Sequence, residues 1–466
     1  MFGITVSEAA ALCGGFVYGK NEYDPEIRRL VIDSREVKKD DLFLAYKGEK
    51  TDGHDFILSA LEKGAAAALA EHFPVGFEKL TSGAVIVCED VQKAAETITA
   101  EFRKKVDVPV IGITGSVGKT STKEMIASVL NEHFRICKTE GNLNNTIGVP
   151  LSLCSLQKDD EVAVIEMGIN HFGEMRRLGR MVIPDIAVFT VIGHAHLEFL
   201  GDLNGVLKAK TEMLEFMSDD ALLIVNGDDP LLCHFSCPQM KMTYGKSEEC
   251  DVYGSDIAVH TDGFISFKIN YSGKTLPVVI PGFGEHLVYA ALAAAAVGFA
   301  MGMSDEEIMQ GIAQFKTVGR RLSVENTGFV RLVDDCYNSN PDSCKSSIDT
   351  LLSLPGRHVC ILGDMLELGK NSEHMHSEIG SYAAEKGIDL LLTCGDLAFH
   401  MSESFRSAIV PSGSNNETAV FHYPDMDSMI SDLSRVLSKE DAVLVKASRG
   451  AHLERVSEAI KLLGAE

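Results

Sequence analysis

The chain has 466 residues, of which 45% are hydrophobic and 24% are charged, and its formal net charge is −24. This length and composition are typical of a globular enzyme with about three domains of roughly 150 residues each. The acidic balance excludes a general nucleic-acid binder, which needs a basic face, so any anionic substrate must be met by locally placed Lys and Arg.

Targeting and metal signals are weak. The N-terminus carries Glu8 and has no basic stretch, so it does not read as a signal peptide. No apolar run approaches the ~18 residues that a membrane helix needs, and we therefore expect a cytoplasmic protein without a membrane partner. The 11 cysteines are scattered. Cys233 and Cys237 could form half of a metal site, but no second pair follows at a zinc-type spacing, which favours reduced thiols.

The first segment, residues 1–107, alternates short strands and helices. The stretch "RRLVIDSREVKKDDLFLAYKG" predicts two strands around a turn, and "HDFILSALEKGAAAALAE" predicts a helix followed by a strand. A charged helix end and Pro109 close this segment, so we place a domain boundary at 107/108.

Long apolar strands followed by helical sequence characterise the rest of the chain. Continuous apolar runs of this kind indicate parallel sheets buried on both faces, which makes the fold class α/β. The pattern weakens and then resumes near residue 320, so we expect a central parallel-sheet domain over 108–318 and a C-terminal Rossmann-like domain over 319–466. The predicted strands of the two domains lie in "VPVIGITG", "DEVAVIEMG", "PDIAVFTVIG" and "ALLIVNGDD", and in "RLVDDCYN", "RHVCILGD", "DLLLTCGD" and "DAVLVKASRG".

Polar residues occur where these predicted strands end. Ligands of open α/β sheets bind at the carboxyl ends of the strands, so two such sheets facing each other would form an interdomain cleft. The residues in question are Thr114, Glu166, Asn226, Asp335, Asp364 and Ser448.

A glycine-rich loop predicts the phosphate site. Thr114-Gly115-Ser116-Val117-Gly118-Lys119-Thr120 stands between an apolar strand and a helical pattern. Backbone N–H groups and a helix N-terminus would face the anion there, Lys119 would reach the outer phosphates, and Thr120 could hold Mg²⁺. The spacing departs from the strict G-x₄-G-K-[ST] form, because Ile113 stands where the first glycine would be.

Further positions have both a site interpretation and a structural one. A carboxylate at the end of the neighbouring strand, Glu166, is suited to be the second anchor of Mg²⁺. His196 is as consistent with a packed histidine as with a ligand, and Lys210 reads in isolation as a solvated helix position. The loop "NLNNTIGVP" and the cluster "DDCYNSNPDS" could be turns, although the density of polar groups in the cluster favours a site.

Taken together these motifs resemble the Mur ligase family over the whole chain. The loop at 114–120 is similar to the family's TGSxGKT loop, "GNLNNTIGVP" to its GNxNNxxGxP loop, and "AHLEFLG…KAKTEM" to the region of its histidine and special lysine. "DSR" at 33–35 and "GEKTDGHDF" resemble a UDP-binding domain found in part of the family. "DDCYNSNPDS" and "LGDMLELG" resemble the member that adds the last dipeptide, whereas the DYAH- and DNPR-type stretches of the tripeptide-forming member are missing.

The resemblance implies a reaction and a set of partners. ATP would phosphorylate the terminal carboxylate of UDP-MurNAc-tripeptide, and the amine of D-Ala-D-Ala would displace phosphate to form an amide in peptidoglycan precursor synthesis. The enzyme would be a monomer that uses ATP and Mg²⁺. Physically this chemistry needs charge neutralisation at the γ-phosphate and two substrates held in line.

The resemblance also implies residue roles. Lys119 would bind the β- and γ-phosphates, Thr120 and Glu166 would hold one Mg²⁺, and His196 and a carbamylated Lys210 would hold a second.

On the third domain, Arg320 would reach the γ-phosphate and Asp335 would contact the nucleotide. Ser34 and Arg35 would meet the uridine diphosphate, and Asn144 and Asn145 are expected to contact substrate.

One departure from the family concerns adenine. The family's HNxxN-type stretch keeps His286 here, but Leu287 and Ala290 stand at the two asparagine positions. Two other interpretations stay open: a folylpolyglutamate synthase, against which the "DSR" domain argues, and a non-catalytic ATP-binding subunit, which only the altered adenine stretch supports.

Overall fold

The structure is a computed structural model that describes residues 3–19, 24–79, 83–317, 319, 321–409 and 418–464. Its described strands form three sheets, one in each of the three predicted segments. The predicted α/β class with three units is confirmed.

The first unit is a five-stranded sheet in the order β1-β5-β4-β3-β2. Strands β2 to β5 are parallel, and β1 runs antiparallel to β5. The two strands predicted around a turn are β2 and β3, which are parallel neighbours. The strands are β1 (Phe16–Gly19), β2 (Leu30–Val31), β3 (Leu42–Leu44), β4 (Ala67–Ala70) and β5 (Ala84–Val87). The α-helices are α1 (Val6–Cys13), α2 (Ile57–Glu62) and α3 (Val91–Lys105).

A buried arginine joins α3 to the central unit. The Arg103 guanidinium donates to the carbonyl oxygens of Val182 at 2.8 Å and Ile183 at 3.1 Å, and it pairs with Asp185 at 2.8 Å. Because the ends of these bonds lie on both units, the first unit is fixed to the central one.

The central unit is a nine-stranded sheet in the order β14-β13-β12-β11-β10-β9-β6-β8-β7. The strands are β6 (Val110–Thr114), β7 (Ile136–Lys138), β8 (Val162–Glu166), β9 (Ile186–Phe189), β10 (Leu222–Asn226), β11 (Met240–Gly245), β12 (Val252–His260), β13 (Phe264–Tyr271) and β14 (Lys274–Pro281). The α-helices are α4 (Lys119–Leu130), α5 (Gly148–Leu153), α6 (Glu174–Val182), α7 (Leu197–Leu200), α8 (Leu203–Thr211), α9 (Pro230–His234), α10 (His286–Ala300) and α11 (Asp305–Ala313).

Strand β6 is the point at which the strand order of this sheet reverses. The chain continues from β6 to β7 and β8 on one side and then crosses to β9 on the other. Every residue of β6, β8 and β9 is buried, as their continuous apolar sequences predict for parallel strands between helices. The carboxyl end of β6 is therefore the switch point at which a ligand crevice opens.

The third unit is a six-stranded sheet in the order β15-β16-β20-β17-β18-β19, parallel except for β15. The strands are β15 (Ser323–Asn326), β16 (Arg331–Asp334), β17 (His358–Gly363), β18 (Leu390–Cys394), β19 (Ala419–Tyr423) and β20 (Ala442–Lys446). The α-helices are α12 (Pro341–Leu352), α13 (Ser372–Glu385), α14 (Ala398–Ile409), α15 (Met426–Val436) and α16 (Glu454–Leu463).

The predicted polar strand ends are confirmed. Thr114, Glu166 and Asn226 are the last residues of β6, β8 and β10, while Asp335 and Asp364 directly follow β16 and β17. Within the residues that the structure describes, none of the helices has the length and apolar character needed to cross a bilayer.

Candidate active site

A cleft of about 410 Å³ opens between the central and third sheets, where the carboxyl ends of their strands meet. The central unit contributes the end of the glycine loop, the Asn-rich loop and the end of β8, and the third unit contributes the polar cluster after β16. The lining includes Ser116–Ser121, Asn144–Thr146, Glu166, Gly168–Asn170, Glu174, His196 and His286, and also Arg321, Leu322, Asp335, Tyr337–Asn340, Ser343, Ser346, Ser347 and Lys446.

The glycine loop has a backbone shape that favours glycine at two positions. Gly115 has φ +149°, and a Cβ there would lie 1.8 Å from Oγ1 of Thr190. That hydroxyl donates to the carbonyl oxygen of Val117 at 2.6 Å and so holds the loop against β9. Gly118 has φ +84° and is the N-cap of α4. The unpaired N–H groups at the start of α4 therefore face the cleft, as a phosphate cradle requires.

Two hydrogen bonds from Ser116 hold the start of the loop against the segment that follows β9. The Ser116 hydroxyl donates to the carbonyl oxygen of Gly193 at 3.0 Å, and the Ser116 N–H donates to that of Val191 at 2.8 Å. Thr114 is buried, and its hydroxyl has no hydrogen-bond partner within the described part of the chain.

Lys119 is a half-buried cation that has no carboxylate within ion-pair distance among the described residues. Its ammonium donates to the carbonyl oxygens of Gly115 at 2.8 Å and Ser116 at 3.4 Å. Burial lowers the pKa of Lys119, Arg321 lowers it further, and Glu166 opposes the shift. An anion in the cleft would stabilise the charged form of this lysine, so the site is suited to bind one.

Glu166 and Thr120 form a buried pair of oxygen ligands beside the loop. The Thr120 hydroxyl donates to Oε2 of Glu166 at 2.9 Å, and the amide of Asn144 donates to Oε1 at 2.7 Å. The ammonium of fully buried Lys123 lies 3.9 Å from Oε2. It also contacts Oε1 of Glu124 at 2.8 Å. These contacts fix the Glu166 carboxylate at the edge of the cleft.

Lys210 is almost completely buried in α8, with a relative exposure of 1%. Burial lowers its pKa well below the ordinary value, and the nearby Lys119 ammonium adds to this effect. Within the described residues no carboxylate pairs with Lys210, so its side chain lies buried near Lys119 without a counter-charge. The alternative prediction, that Lys210 is a solvent-exposed helix residue, is wrong.

His196 lies between the two units. Its Nδ1 atom is 2.5 Å from Oε2 of Glu367, which belongs to the third unit. The neighbouring His194, also of the central unit, pairs with Asp342 of the third unit, with 3.1 Å between Nδ1 and Oδ2.

The polar cluster of the third unit is organised around Asp335. Its Oδ2 accepts hydrogen bonds from Lys446 at 2.5 Å and Ser347 at 2.7 Å, while Oδ1 accepts one from the Leu322 N–H at 3.1 Å. Lys446 is 1% exposed. Asp335 therefore borders the cleft and at the same time neutralises a buried lysine.

The predicted site residues are not all in one place. The structure brings Lys119, Thr120, Glu166, Asn144, Asn145, His196 and Asp335 to the cleft. Asn145 caps the following turn, since its side-chain oxygen accepts from the N–H groups of Ile147 and Gly148. Ser34 and Arg35 lie apart on the first unit, where the Lys63 ammonium contacts the Ser34 carbonyl and Arg35 pairs with Asp33.

Sequence reasoning chose one arginine of an adjacent pair. Arg320 lies outside the described residues, whereas Arg321 lines the cleft and stacks on Tyr337, 3.8 Å from the ring centroid. The double arginine of "VGRRLSV" was the signal by which Arg321 could have been found. Lys123 and Lys446 were also missed, because a lysine in a sequence gives no sign of burial.

Among the described residues, no group of three or more His, Cys, Asp or Glu side chains converges on one point. Cys233 and Cys237 are both free thiols.

Comparison with known proteins matches the chain from end to end. Residues 26–110 match the family description "Mur ligase family, catalytic domain", residues 113–298 match "Mur ligase middle domain", and residues 319–449 match "Mur ligase, glutamate ligase domain". The chain is 35% identical over 456 residues to UDP-N-acetylmuramoyl-tripeptide–D-alanyl-D-alanine ligase of Bacillus subtilis, with 97% of each chain covered.

Two solved structures are similar over nearly the same length. MurF from Acinetobacter baumannii is 29% identical with a TM-score of 0.86, and 98% of both chains is covered. MurF from Thermotoga maritima in complex with ADP is 30% identical with a TM-score of 0.80, covering 94% of this chain and 98% of that one.

Proposed function

The chain belongs to the Mur ligase family, and we propose that it is the ATP-dependent ligase that joins D-alanyl-D-alanine to UDP-N-acetylmuramoyl-tripeptide in peptidoglycan precursor synthesis. The observation that carries the proposal is the similarity over 97% of the chain to a relative of that name. The nucleotide would be ATP, which agrees with the ADP complex of the relative from Thermotoga maritima.

The proposed reaction has two steps. The terminal carboxylate of the tripeptide attacks the γ-phosphorus of ATP, the bond to the β-phosphate oxygen breaks, and ADP leaves. The free amine of D-alanyl-D-alanine then attacks the acyl phosphate carbon. The tetrahedral intermediate expels inorganic phosphate, the amine loses a proton, and an amide remains.

The residues of the cleft are suited to the first step. The glycine loop and the N-terminus of α4 would hold the phosphates, and the Lys119 ammonium would neutralise charge on the transferred group. Arg321 of the third unit, and Arg320 next to it, would approach from the opposite wall. Positioning and charge stabilisation supply most of the catalysis in phosphoryl transfer.

The donor set fits one Mg²⁺ ion. Mg²⁺ takes hard oxygen ligands and is commonly bound by one or two carboxylates together with substrate phosphates. The Thr120 hydroxyl and the Glu166 carboxylate offer such oxygens, 2.9 Å apart, at the edge of the cleft. The ion would supply further charge neutralisation at the γ-phosphate.

A second cation fits only if Lys210 is modified. The unmodified side chain is a buried amine, which offers no anionic oxygen. A neutral amine can attack carbon dioxide and lose a proton, which leaves a carbamate. We propose that Lys210 carries this carbamate and, with His196, holds the second Mg²⁺. The burial of Lys210 supports the chemistry, because burial disfavours the ammonium form and only the uncharged amine is nucleophilic.

The remaining assignments concern the substrates and the assembly. Ser34 and Arg35 would contact the uridine diphosphate on the first unit, and Asn144 and Asn145 would contact substrate near the glycine loop. We also propose that the enzyme acts as a monomer. Its substrates, ATP and a UDP-linked precursor, are cytoplasmic metabolites, so we propose the cytoplasm as its location.

The test is phosphate release with each substrate omitted in turn. We expect release to require ATP, UDP-MurNAc-tripeptide and D-alanyl-D-alanine together. Release with a folate substrate would identify a folate ligase instead, and no release with any of these acceptors would indicate a non-catalytic subunit. Repeating the assay with lysine- and diaminopimelate-containing tripeptides would identify the third residue.

A further inference from the structure

A turn of the third unit docks on the start of α7 in the central unit. The Glu367 carbonyl oxygen accepts a hydrogen bond from the Glu198 N–H at 3.1 Å. A Cβ at Gly369 would lie 3.1 Å from Cα of Glu198, so the two backbones are nearly in contact. The contact therefore places the Glu367 side chain beside His196, the residue that precedes α7.

The two facing residues have unusual backbone conformations. His196 has φ +56° and Glu367 has φ +62°, in the left-handed region that few non-glycine residues adopt. Such conformations persist where surrounding structure fixes them, and they are concentrated at functional sites.

The turn that carries Glu367 is held by its own unit. The N–H of Met365 donates to Nε2 of His376 at 2.9 Å, and the N–H of Leu366 donates to the hydroxyl of Ser448 at 2.9 Å. Glu367 is thus presented to the central unit from an anchored position.

The contact between Glu367 and His196 determines which ring nitrogen is free. An ionised carboxylate only accepts hydrogen bonds, so Nδ1 of His196 must carry the hydrogen in the 2.5 Å contact. In the neutral imidazole, Nε2 then has the lone pair. His196 also lines the cleft, and its side chain is 18% exposed.

We propose that Glu367 is a positioning residue, which fixes the tautomer and orientation of His196 so that Nε2 can serve as a metal ligand. The metal-binding part of this proposal rests on the proposed function. The consequence is a coupling between domain docking and metal binding, since the carboxylate comes from the third unit and the histidine from the central one. A histidine ligand held by a carboxylate at its other nitrogen is a recurring arrangement in metal sites.

Asp342 provides an internal comparison. It also reaches from the third unit to the same loop, where its Oδ2 accepts from the His194 N–H at 2.6 Å and lies 3.1 Å from Nδ1 of His194. It does not contact His196. Removing its charge should weaken docking without a direct effect on the His196 tautomer.

The first arm of the experiment measures the tautomer by NMR of the full chain labelled with ¹⁵N-histidine at pH 8, without metal or nucleotide. The variant His196→Gln assigns the signal. We expect the parent to show Nδ1 protonated and Nε2 unprotonated. Glu367→Ala should shift His196 toward the Nε2-protonated tautomer, Glu367→Gln should retain much of the parent state because its amide oxygen still accepts, and Asp342→Asn should match the parent. An identical His196 signal in the parent and in Glu367→Ala would overturn the proposal.

The second arm measures Mg²⁺ binding by calorimetry in the presence of a non-hydrolysable ATP analogue, together with the Mg²⁺ dependence of phosphate release. For Glu367→Ala we expect an increase of about 10- to 100-fold in the Mg²⁺ concentration needed, with the KM for the UDP-linked substrate unchanged. An unchanged Mg²⁺ requirement in a variant whose tautomer has shifted would refute the metal role. If the parent itself released no phosphate, the proposed function would fail, while the tautomer measurement would still decide whether Glu367 positions His196.

Discussion

Replacing Asp335 by asparagine tests whether the buried ion pair with Lys446 supports the third unit. In the parent, the Lys446 ammonium contacts Oδ2 of Asp335 at 2.5 Å and the carbonyl oxygen of Asn338 at 2.9 Å. Asp335→Asn would leave a 1% exposed ammonium with no full counter-charge. Breaking one partner of a buried pair costs about 3–5 kcal/mol. At roughly 2–4 °C per kcal/mol for a domain of this size, Tm of the third unit should fall by about 6–20 °C.

The assay is calorimetric melting of the full chain, with two further variants. Glu325→Gln is the matched control, because it removes an exposed pair with Lys461 in the same unit and should cost at most about 1 kcal/mol. The double variant Asp335→Asn with Lys446→Met removes both buried charges and should regain most of the lost stability. A Tm for Asp335→Asn within 2–3 °C of the parent, roughly the shift from 1 kcal/mol, would refute the reasoning. A raised KM for ATP in a stable double variant would indicate that Asp335 or Lys446, which both line the cleft, contacts the nucleotide.

Three further predictions concern the cleft and its surroundings. Lys119→Ala should lower turnover by about 10²–10³-fold in the phosphate-release assay while leaving Tm nearly unchanged, because the half-buried ammonium has no ion pair to lose among the described residues; near-normal turnover would contradict its role. Lys210→Ala should be nearly inactive, and a short carboxylate such as acetate should partly restore turnover by supplying the missing anion; full activity of the parent in bicarbonate-free buffer would count against the carbamate. Leu287 and Ala290 are 1% and 2% exposed, so melting must first show that Leu287→Asn with Ala290→Asn folds as the parent does. The folded variant should lower the KM for ATP more than for GTP, by roughly 5- to 150-fold if a buried polar edge gains its partner, and equal effects on both nucleotides would mean that the base is read elsewhere.

A further prediction concerns stability at acid pH. Burial lowers the pKa of His286 from 6.5 to about 4, so folding favours the neutral ring. The stability that this group contributes is complete above pH 6.5 and is lost as the pH falls toward 4, because the unfolded chain binds the proton first. Denaturant unfolding at pH 7 and pH 4.5 should show a smaller pH dependence for His286→Gln than for the parent, and identical dependence would contradict the burial argument.

The sequence was sufficient to predict most of the parallel strands and the polar residues at their ends. The parallel strands β5, β7, β11 and β19 were not predicted. Strands β6, β8 and β9 have continuous apolar sequences because helices cover both faces, and that pattern is visible without a structure. The antiparallel β12 to β14 were not predicted, because one face of each strand meets solvent and the alternation in "VYGSDIAVH" is weak. The edge strand β1 was missed for a related reason: all four of its residues are exposed.

The sequence could predict which residues share the site only where they are close together in the chain of one unit. Gly118, Lys119 and Thr120 are adjacent in sequence, so their shared role could be inferred from spacing. The contacts of His196 with Glu367 and of Asp335 with Lys446 join residues 171 and 111 positions apart, which no periodicity encodes. These pairs arise from the docking of one unit on another and from the order of strands in the third sheet.

Isotope transfer tests the central claim, which is that ATP activates the substrate carboxylate as an acyl phosphate. UDP-MurNAc-tripeptide labelled with ¹⁸O in its terminal carboxylate would be incubated with ATP and D-alanyl-D-alanine, and the released phosphate would be analysed by mass spectrometry. We expect one ¹⁸O atom in phosphate for each amide formed, because the carboxylate oxygen that attacks the γ-phosphorus stays bonded to it when phosphate leaves. Unlabelled phosphate accompanying amide formation, or release of AMP and pyrophosphate, would contradict it.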